Sequence, residues 1–249
     1  MVTASHNAEP DNGAKICESG GDMLAESWEE YAAELVNLAT VEEIVAFLSR
    51  VANSEGIELM SGAEVYVAMD TRPSSPAATH LVVMGIEGCG GTVRHYGVMT
   101  TPQLHYFVRE RNLPHPGAAD APRDNVEAYY KQLSDAYHQI VATSDGPARA
   151  GQPLVVDCSN GVGASALSAL APMLADVLPL ELRNVGGADG PVNEECGAGE
   201  LHPFQAAPPC GIERLNSWGR CRPCPAAKAL PAAGRHRGGC RAADVCARR

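Results

Sequence analysis

No run in this chain of 249 residues approaches the ~18 consecutive apolar residues of a membrane-spanning helix, so no helical span and no membrane partner are expected. A basic-then-apolar leader is also missing from Met1 to Glu9. The chain begins instead on a polar loop, Ser5-His6-Asn7, where a domain would ordinarily open on a strand or helix that it can dock. We therefore expect further sequence upstream. Positive charge is scarce for most of the length: Met1 to Glu213 holds 10 Lys/Arg against 29 Asp/Glu, a net charge of −19. That balance argues against a nucleic-acid surface. The cysteines number nine, an odd count. Without a leader, this fits a cytoplasmic protein with free thiols better than a disulfide framework. Nothing in the sequence specifies an oligomeric state.

What is present is a globular composition, 45% hydrophobic and 20% charged, arranged as alternating strand and helix signals. Thr40 with Glu43 reads as a capping box, opening a helix that carries Ile44, Phe47, Leu48 and Val51. Ser27 with Glu30 reads the same way, ahead of Trp28, Tyr31, Leu35 and Leu38. The apolar run Val65 to Met69 reads as a strand. It leads into Asp70-Thr71-Arg72-Pro73-Ser74-Ser75 and a helix from Ala77 to Ile86, for which Ser74 and Ser75 are candidate caps. A strand at Thr92 to Tyr96 precedes a helix with Thr101 as cap and Pro102 in its first turn. Pro114 to Pro122 reads as a surface loop. Val126 to Val141 reads as a helix with Tyr129, Tyr130, Leu133, Tyr137 and Ile140 on one side, the three tyrosines being expected in the core. Ser144 to Gln152 is the linker candidate. Beyond it come a strand (Leu154 to Asp157), a helix (Ala164 to Leu174) and a strand (Val177 to Leu182). The expected fold class is α/β, with a mixed or mostly parallel sheet flanked by helices.

The chemistry-bearing residues cluster near the start. Ser5, His6 and Lys15 place a hydroxyl, an imidazole and an ammonium within one short loop, with a turn at Asn12-Gly13. Such a loop offers a nucleophile, a donor and a counter-charge for a phosphate. Read alone, Ser5-His6 is equally a polar turn. The Asp70–Arg72 pair reads as a loop ion pair worth ~0–1 kcal/mol. Gly161-Val162-Gly163-Ala164-Ser165-Ala166, with Glu181 downstream, fits a dinucleotide-binding turn and leaves a dinucleotide-dependent oxidoreductase as the alternative function. The bland reading of that segment is a tight strand-to-helix crossover.

The string TASHNAEPDNGAK, Thr3 to Lys15, resembles the phosphoserine loop of the phosphohexose mutases, with Ala8 where that family usually has proline. Three further segments are similar, in order, to the phosphoacetylglucosamine mutase subgroup of the family: GDMLAESWEE (Gly21 to Glu30), DTRPSS (Asp70 to Ser75) with GVMTTPQLHY (Gly97 to Tyr106), and VDCSNGVGA (Val156 to Ala164). The resemblance implies that Ser5 carries a phosphoryl group and passes it to a sugar phosphate through a bisphosphate intermediate. N-acetylglucosamine 6-phosphate and 1-phosphate would thereby interconvert, on the way to the UDP-sugar. It implies that His6 and Lys15 stand beside the phosphate, and that Mg²⁺ is held by the phosphoserine oxygen and by aspartates of a DGDxDR loop. It also divides the chain: residues 1–150 as a first domain lacking its first strand, 151–213 as part of a second, and 214–249 as a tail. The DGDxDR loop is absent, so the chain by itself is expected to be inactive, or a non-catalytic truncated relative.

From Arg214 onward the residues are nearly all Arg, Ala, Gly, Pro and Cys, with nine basic residues and one acidic. Cys221-Arg222-Pro223-Cys224 with His236, Cys240 and Cys246 has some of the elements of a zinc site. Large apolar residues are too few to offset the entropy of ordering. We expect this tail to be disordered and translated out of frame. The transcript's reading frame across Glu213 checks this; an uninterrupted exon would overturn it.

Overall fold

The computed structural model describes residues 1–58, 62–114, 125–143, 152–187, 190–194 and 196. The chain forms two units, Met1–Glu213 and Arg214–Arg249. The second unit, with the expected tail and its cysteine cluster, lies wholly outside the described residues. So do 144–151, where the linker and the division near residue 150 were expected, and residues 115–122 of the expected surface loop.

In chain order the elements are α1 (Ser27–Leu35), α2 (Val41–Glu55), β1 (Glu64–Met69), α3 (Ser75–Gly88), β2 (Thr92–Val98), α4 (Thr101–Asn112), α5 (Val126–Thr143), β3 (Leu154–Asp157), α6 (Gly163–Leu174) and β4 (Leu180–Arg183). Strands β1 and β2 pair in parallel through α3, and β3 and β4 pair in parallel through α6. Two strand–helix–strand units result, and the fold is α/β with parallel strands flanked by helices. No helix of the described residues is long and apolar enough to cross a membrane.

The core of the first unit forms where α4 lies on β1. Ala68, Met99, Leu104 and Phe107 are buried together, with Met1, Tyr66, Tyr96, Tyr106 and Val126 packed around them. Rings extend this core: Tyr66 to Tyr96 and Tyr96 to Phe107 are each 5.1 Å between centroids, and Tyr106 meets Tyr129 edge-on at 5.3 Å. Such tilted contacts add to the area the rings bury.

Local signals decide the helix ends in some cases and not in others. At α2 the Thr40 hydroxyl accepts from the Glu43 amide, and Glu43 accepts from the amides of Ala39 and Thr40. Gly56 then ends the helix in the left-handed region, φ 67°. The box expected at Ser27 does not form: Ser27 is already inside α1, Glu26 takes the cap position, and no side chain caps it. Helix α4 starts one residue earlier than expected, with Thr100 as cap and Gln103 Oε1 accepting from the Thr100 amide and hydroxyl. Of the three tyrosines expected in the core of α5, Tyr130 is buried and Tyr129 and Tyr137 are half-buried. Tyr130 and Ser134 are buried, while Leu133 and Ile140 are exposed. The helix carries two apolar stripes, and α6 meets the one that includes Ser134, whose hydroxyl donates to the Met173 carbonyl.

His138 fastens this α5–α6 contact. Its Nδ1 lies 2.7 Å from the Ser134 carbonyl oxygen, and its Nε2 lies 3.1 Å from both Asp176 carboxylate oxygens. An imidazole donates from both nitrogens only when protonated. The Ser134 carbonyl, and then Asp176, raise the His138 pKa; His138 in turn lowers that of Asp176. The contact therefore contributes above the carboxylate range and below the unfolded imidazole value of ~6.5. It fades as pH rises through the higher folded value. Urea midpoints followed across that window are expected to fall on its alkaline side, and His138→Gln to flatten this fall. An unchanged slope in the variant would show that another group is responsible.

Candidate active site

The site begins with a strand-like flank of three residues. The Val2 amide donates to the Ala68 carbonyl and the Asp70 amide to that of Val2, so Met1–Thr3 runs parallel to the end of β1. On its other side the chain returns: Thr3 donates to Gly13 and Lys15 to Met1. Residues 4–12 arch between these two flanks. The chain does not turn at Asn12-Gly13, where a turn was expected; the turns of the arch fall at Ser5-His6 and Glu9-Pro10, and the Asn12 side-chain oxygen accepts from the Gly13 amide. The Asn12 amide group donates to the hydroxyls of Ser74 and Ser75. Those hydroxyls thus serve the arch rather than capping α3, which has no side-chain cap.

Arg72 is the post around which the arch is built, and its side chain is fully buried. Nε donates to Asp70 Oδ2 at 3.0 Å. Nη1 donates to the carbonyls of Ala8, Glu9 and Asp11. Nη2 donates to those of Ser5, at 3.2 Å, and Asn7, at 3.0 Å. Asp70 is itself saturated by the Thr3 and Ser75 hydroxyls and by the Arg72 amide. The small surface value expected for this pair therefore does not apply. The ion pair is buried, and its main partners are backbone carbonyls of the serine loop.

Ser5 sits at φ 46°, in the left-handed region that a residue with a Cβ enters at a cost of roughly 1–2 kcal/mol. Three contacts hold it there. The Ser5 amide donates to the Thr3 hydroxyl, and its carbonyl accepts from Arg72 and from Asn193. The Ser5 hydroxyl accepts from Lys15 Nζ at 2.7 Å. Ser5, His6 and Lys15 open onto one cleft of about 480 Å³, whose other walls include Thr101, Ser159 and Gly161. The first turns of α4 and α6 also border it, and helix N-termini favour an anion.

The second wall is the loop between β3 and α6, where Ser159 and Asn160 are both left-handed. The Asn160 side chain donates to the Pro191 carbonyl and accepts from the Gly186 amide. Glu181, the acid of the dinucleotide alternative, stands opposite Val155, short of the strand end, and its carboxylate accepts from Arg183. This arrangement favours the crossover reading of the segment.

The residues present do not complete a magnesium site. Among the described residues there is no group of three or more His, Cys, Asp or Glu that could hold a metal ion. Asp70, the carboxylate on the cleft wall, already accepts from Thr3, Ser75 and Arg72.

The Ser5 hydroxyl lies under the Lys15 ammonium on a scaffold of parallel strands and helices. Residues 27–119 match the model for domain I, alpha/beta/alpha, of phosphoglucomutase/phosphomannomutase. The Ser5 arch lies before the matched residues. Human phosphoacetylglucosamine mutase is 38% identical over 221 residues, covering 89% of this chain and 39% of that protein. The Aspergillus fumigatus N-acetylphosphoglucosamine mutase structure with glucose 1,6-bisphosphate is 32% identical, with a TM-score of 0.71 over 84% of this chain and 38% of that one. The same enzyme with GlcNAc-6P and magnesium gives a TM-score of 0.66 at 31% identity, again over 84% of this chain and 38% of that one. The chain is similar to phosphohexose mutases, and it spans about 39% of the length of the human relative.

Asn193 is the residue that sequence reasoning missed. Its side-chain amide donates to the carbonyls of Ser5 and Asn7. No motif announced it, because its partners lie 186 and 188 residues away. Replacing Arg72 with Met should strand Asp70 and the loop carbonyls, and cost about 3–5 kcal/mol. Urea denaturation checks this; a loss below 1 kcal/mol would mean that the arch stands without its post.

Proposed function

We propose that this chain carries the phosphoserine half of a mutase site that interconverts N-acetylglucosamine 6-phosphate and N-acetylglucosamine 1-phosphate, a step toward UDP-N-acetylglucosamine. The carrying observation is Lys15 Nζ at 2.7 Å from Ser5 Oγ, at a cleft bordered by two helix N-termini. The similarity to phosphoacetylglucosamine mutases supports the choice of sugar.

In this reading Ser5 bears a phosphoryl group that passes to the free hydroxyl of a sugar phosphate. The bond from phosphorus to Ser5 Oγ breaks as the bond to the sugar oxygen forms. The sugar hydroxyl gives its proton to water, and Lys15 Nζ donates a proton to the departing Ser5 Oγ. The bisphosphate then turns round and returns its other phosphate to Ser5, with Lys15 relieving Oγ of a proton. His6, on the same cleft, donates in this reading to a phosphoryl oxygen. The left-handed turn at Ser5 holds its oxygen under the ammonium before substrate arrives, so little reorganisation remains for the transfer. Mg²⁺, which the family resemblance implies, would be held through the Ser5 phosphate and by aspartates of a DGDxDR loop, a string this sequence does not contain. The 249-residue chain by itself is therefore expected to lack turnover.

Two measurements check this reading. Glucose 1,6-bisphosphate added to the labelled protein is expected to shift the amide resonances of Thr3 to Asn7, and Lys15→Met to weaken binding by about tenfold or more. Shifts confined to other residues would sink the site assignment. Conversion of N-acetylglucosamine 6-phosphate by the purified chain would overturn the expected inactivity.

A further inference from the structure

The carbonyls of Ser5 and Asn7 each accept two hydrogen bonds, one from each side of the cleft. Arg72 supplies one set, from the loop that follows β1. Asn193 supplies the other, at 3.0 Å to Ser5 and 2.9 Å to Asn7. A carbonyl oxygen has two lone pairs, so these two residues together saturate the turn that holds the serine.

Asn193 is well matched to this task. It is 7% exposed and lies in the left-handed region at φ 59°, a conformation Asn tolerates better than most residues. Its backbone amide donates to the Ser159 carbonyl at 3.0 Å. Its neighbour Val192 donates its amide to Glu9 Oε2 at 3.1 Å. One residue therefore bonds both walls of the cleft: the Ser5 arch by its side chain, and the β3–α6 loop by its backbone.

We infer that Asn193 is a positioning residue for Ser5, through which the β3–α6–β4 unit sets the conformation of the serine turn. Arg72 alone draws the arch carbonyls inward. Asn193 fixes the two that flank His6, and so keeps Ser5 Oγ under Lys15 Nζ. With β3–α6–β4 out of place, the arch persists on Arg72 but the serine leaves its left-handed turn. The consequence for phosphoryl transfer rests on the function proposed above; the conformational link does not.

Asn193→Asp tests the inference with little change in shape. Aspartate also tolerates the left-handed region, but it removes both donors and sets a carboxylate against two carbonyls. Two readouts on the full chain, neither needing a sugar phosphate, follow the result. Amide hydrogen exchange in residues 4–9 is expected to quicken by about tenfold, the effect of losing roughly 1.4 kcal/mol of local hydrogen bonding, while α2, β1 and β2 keep their wild-type protection. The ¹⁵N-labelled Lys15 ammonium resonance is expected to lose the shift that marks its bond to Ser5. Asn193→Gly, which keeps the left-handed backbone and lacks the amide group, is expected to behave likewise. Unchanged exchange in residues 4–9, or equal acceleration in every element, would overturn the assignment. Failure of wild-type protein to bind glucose 1,6-bisphosphate would sink the proposed function and leave this test intact.

Discussion

A guanidinium carries five N–H donors and no acceptor, so burying one demands a shell of oxygens. Arg72 draws that shell from Asp70 and from the carbonyls of Ser5, Asn7, Ala8, Glu9 and Asp11. The dependence runs both ways. The arch has few apolar side chains to bury and could not hold its shape by packing. The guanidinium could not remain fully buried without the arch. Asp70 balances the charge, and Thr3, Ser75 and the Arg72 amide complete its own coordination. A polar loop is thereby held like a core, by hydrogen bonds in place of side-chain volume.

The cleft draws on both strand–helix–strand units. The β1–α3–β2 unit and the flanks at Val2 and Ala14 supply the arch. The β3–α6–β4 unit supplies the facing loop, itself held by Asn160. Asn193 and Val192 bond the two across the gap. Hydroxyl, ammonium, imidazole and two helix N-termini converge on one space that suits an anion with several oxygens.

Much of this was legible in the sequence where the controlling contacts are local. The Thr40–Glu43 box was readable because its partners lie within a few residues of each other. The alternating strands and helices, and with them the α/β class, were readable from apolar period. Ser5, His6 and Lys15 were found through resemblance; the loop's composition alone left a polar turn equally open. Arg72 was underrated because its sequence neighbour Asp70 suggested a surface pair, whereas its carbonyl partners lie 61 to 67 residues away. On α5, periodicity found the buried Tyr130 but not Ser134, which is buried through its contact with the Met173 carbonyl. Asn193 was invisible because a residue that bonds backbone carbonyls leaves no complementary side chain to detect.

The left-handed turn at Ser5 has a bearing on which hydroxyl can serve there. Threonine offers the same oxygen, but its branched Cβ is a genuine outlier at positive φ. Cysteine and tyrosine would place their reactive atoms at other distances from the Lys15 ammonium. The backbone of the arch therefore discriminates between side chains that solution chemistry would treat as near equivalents. Chemical identity at this position is enforced by torsion angle as well as by reactivity.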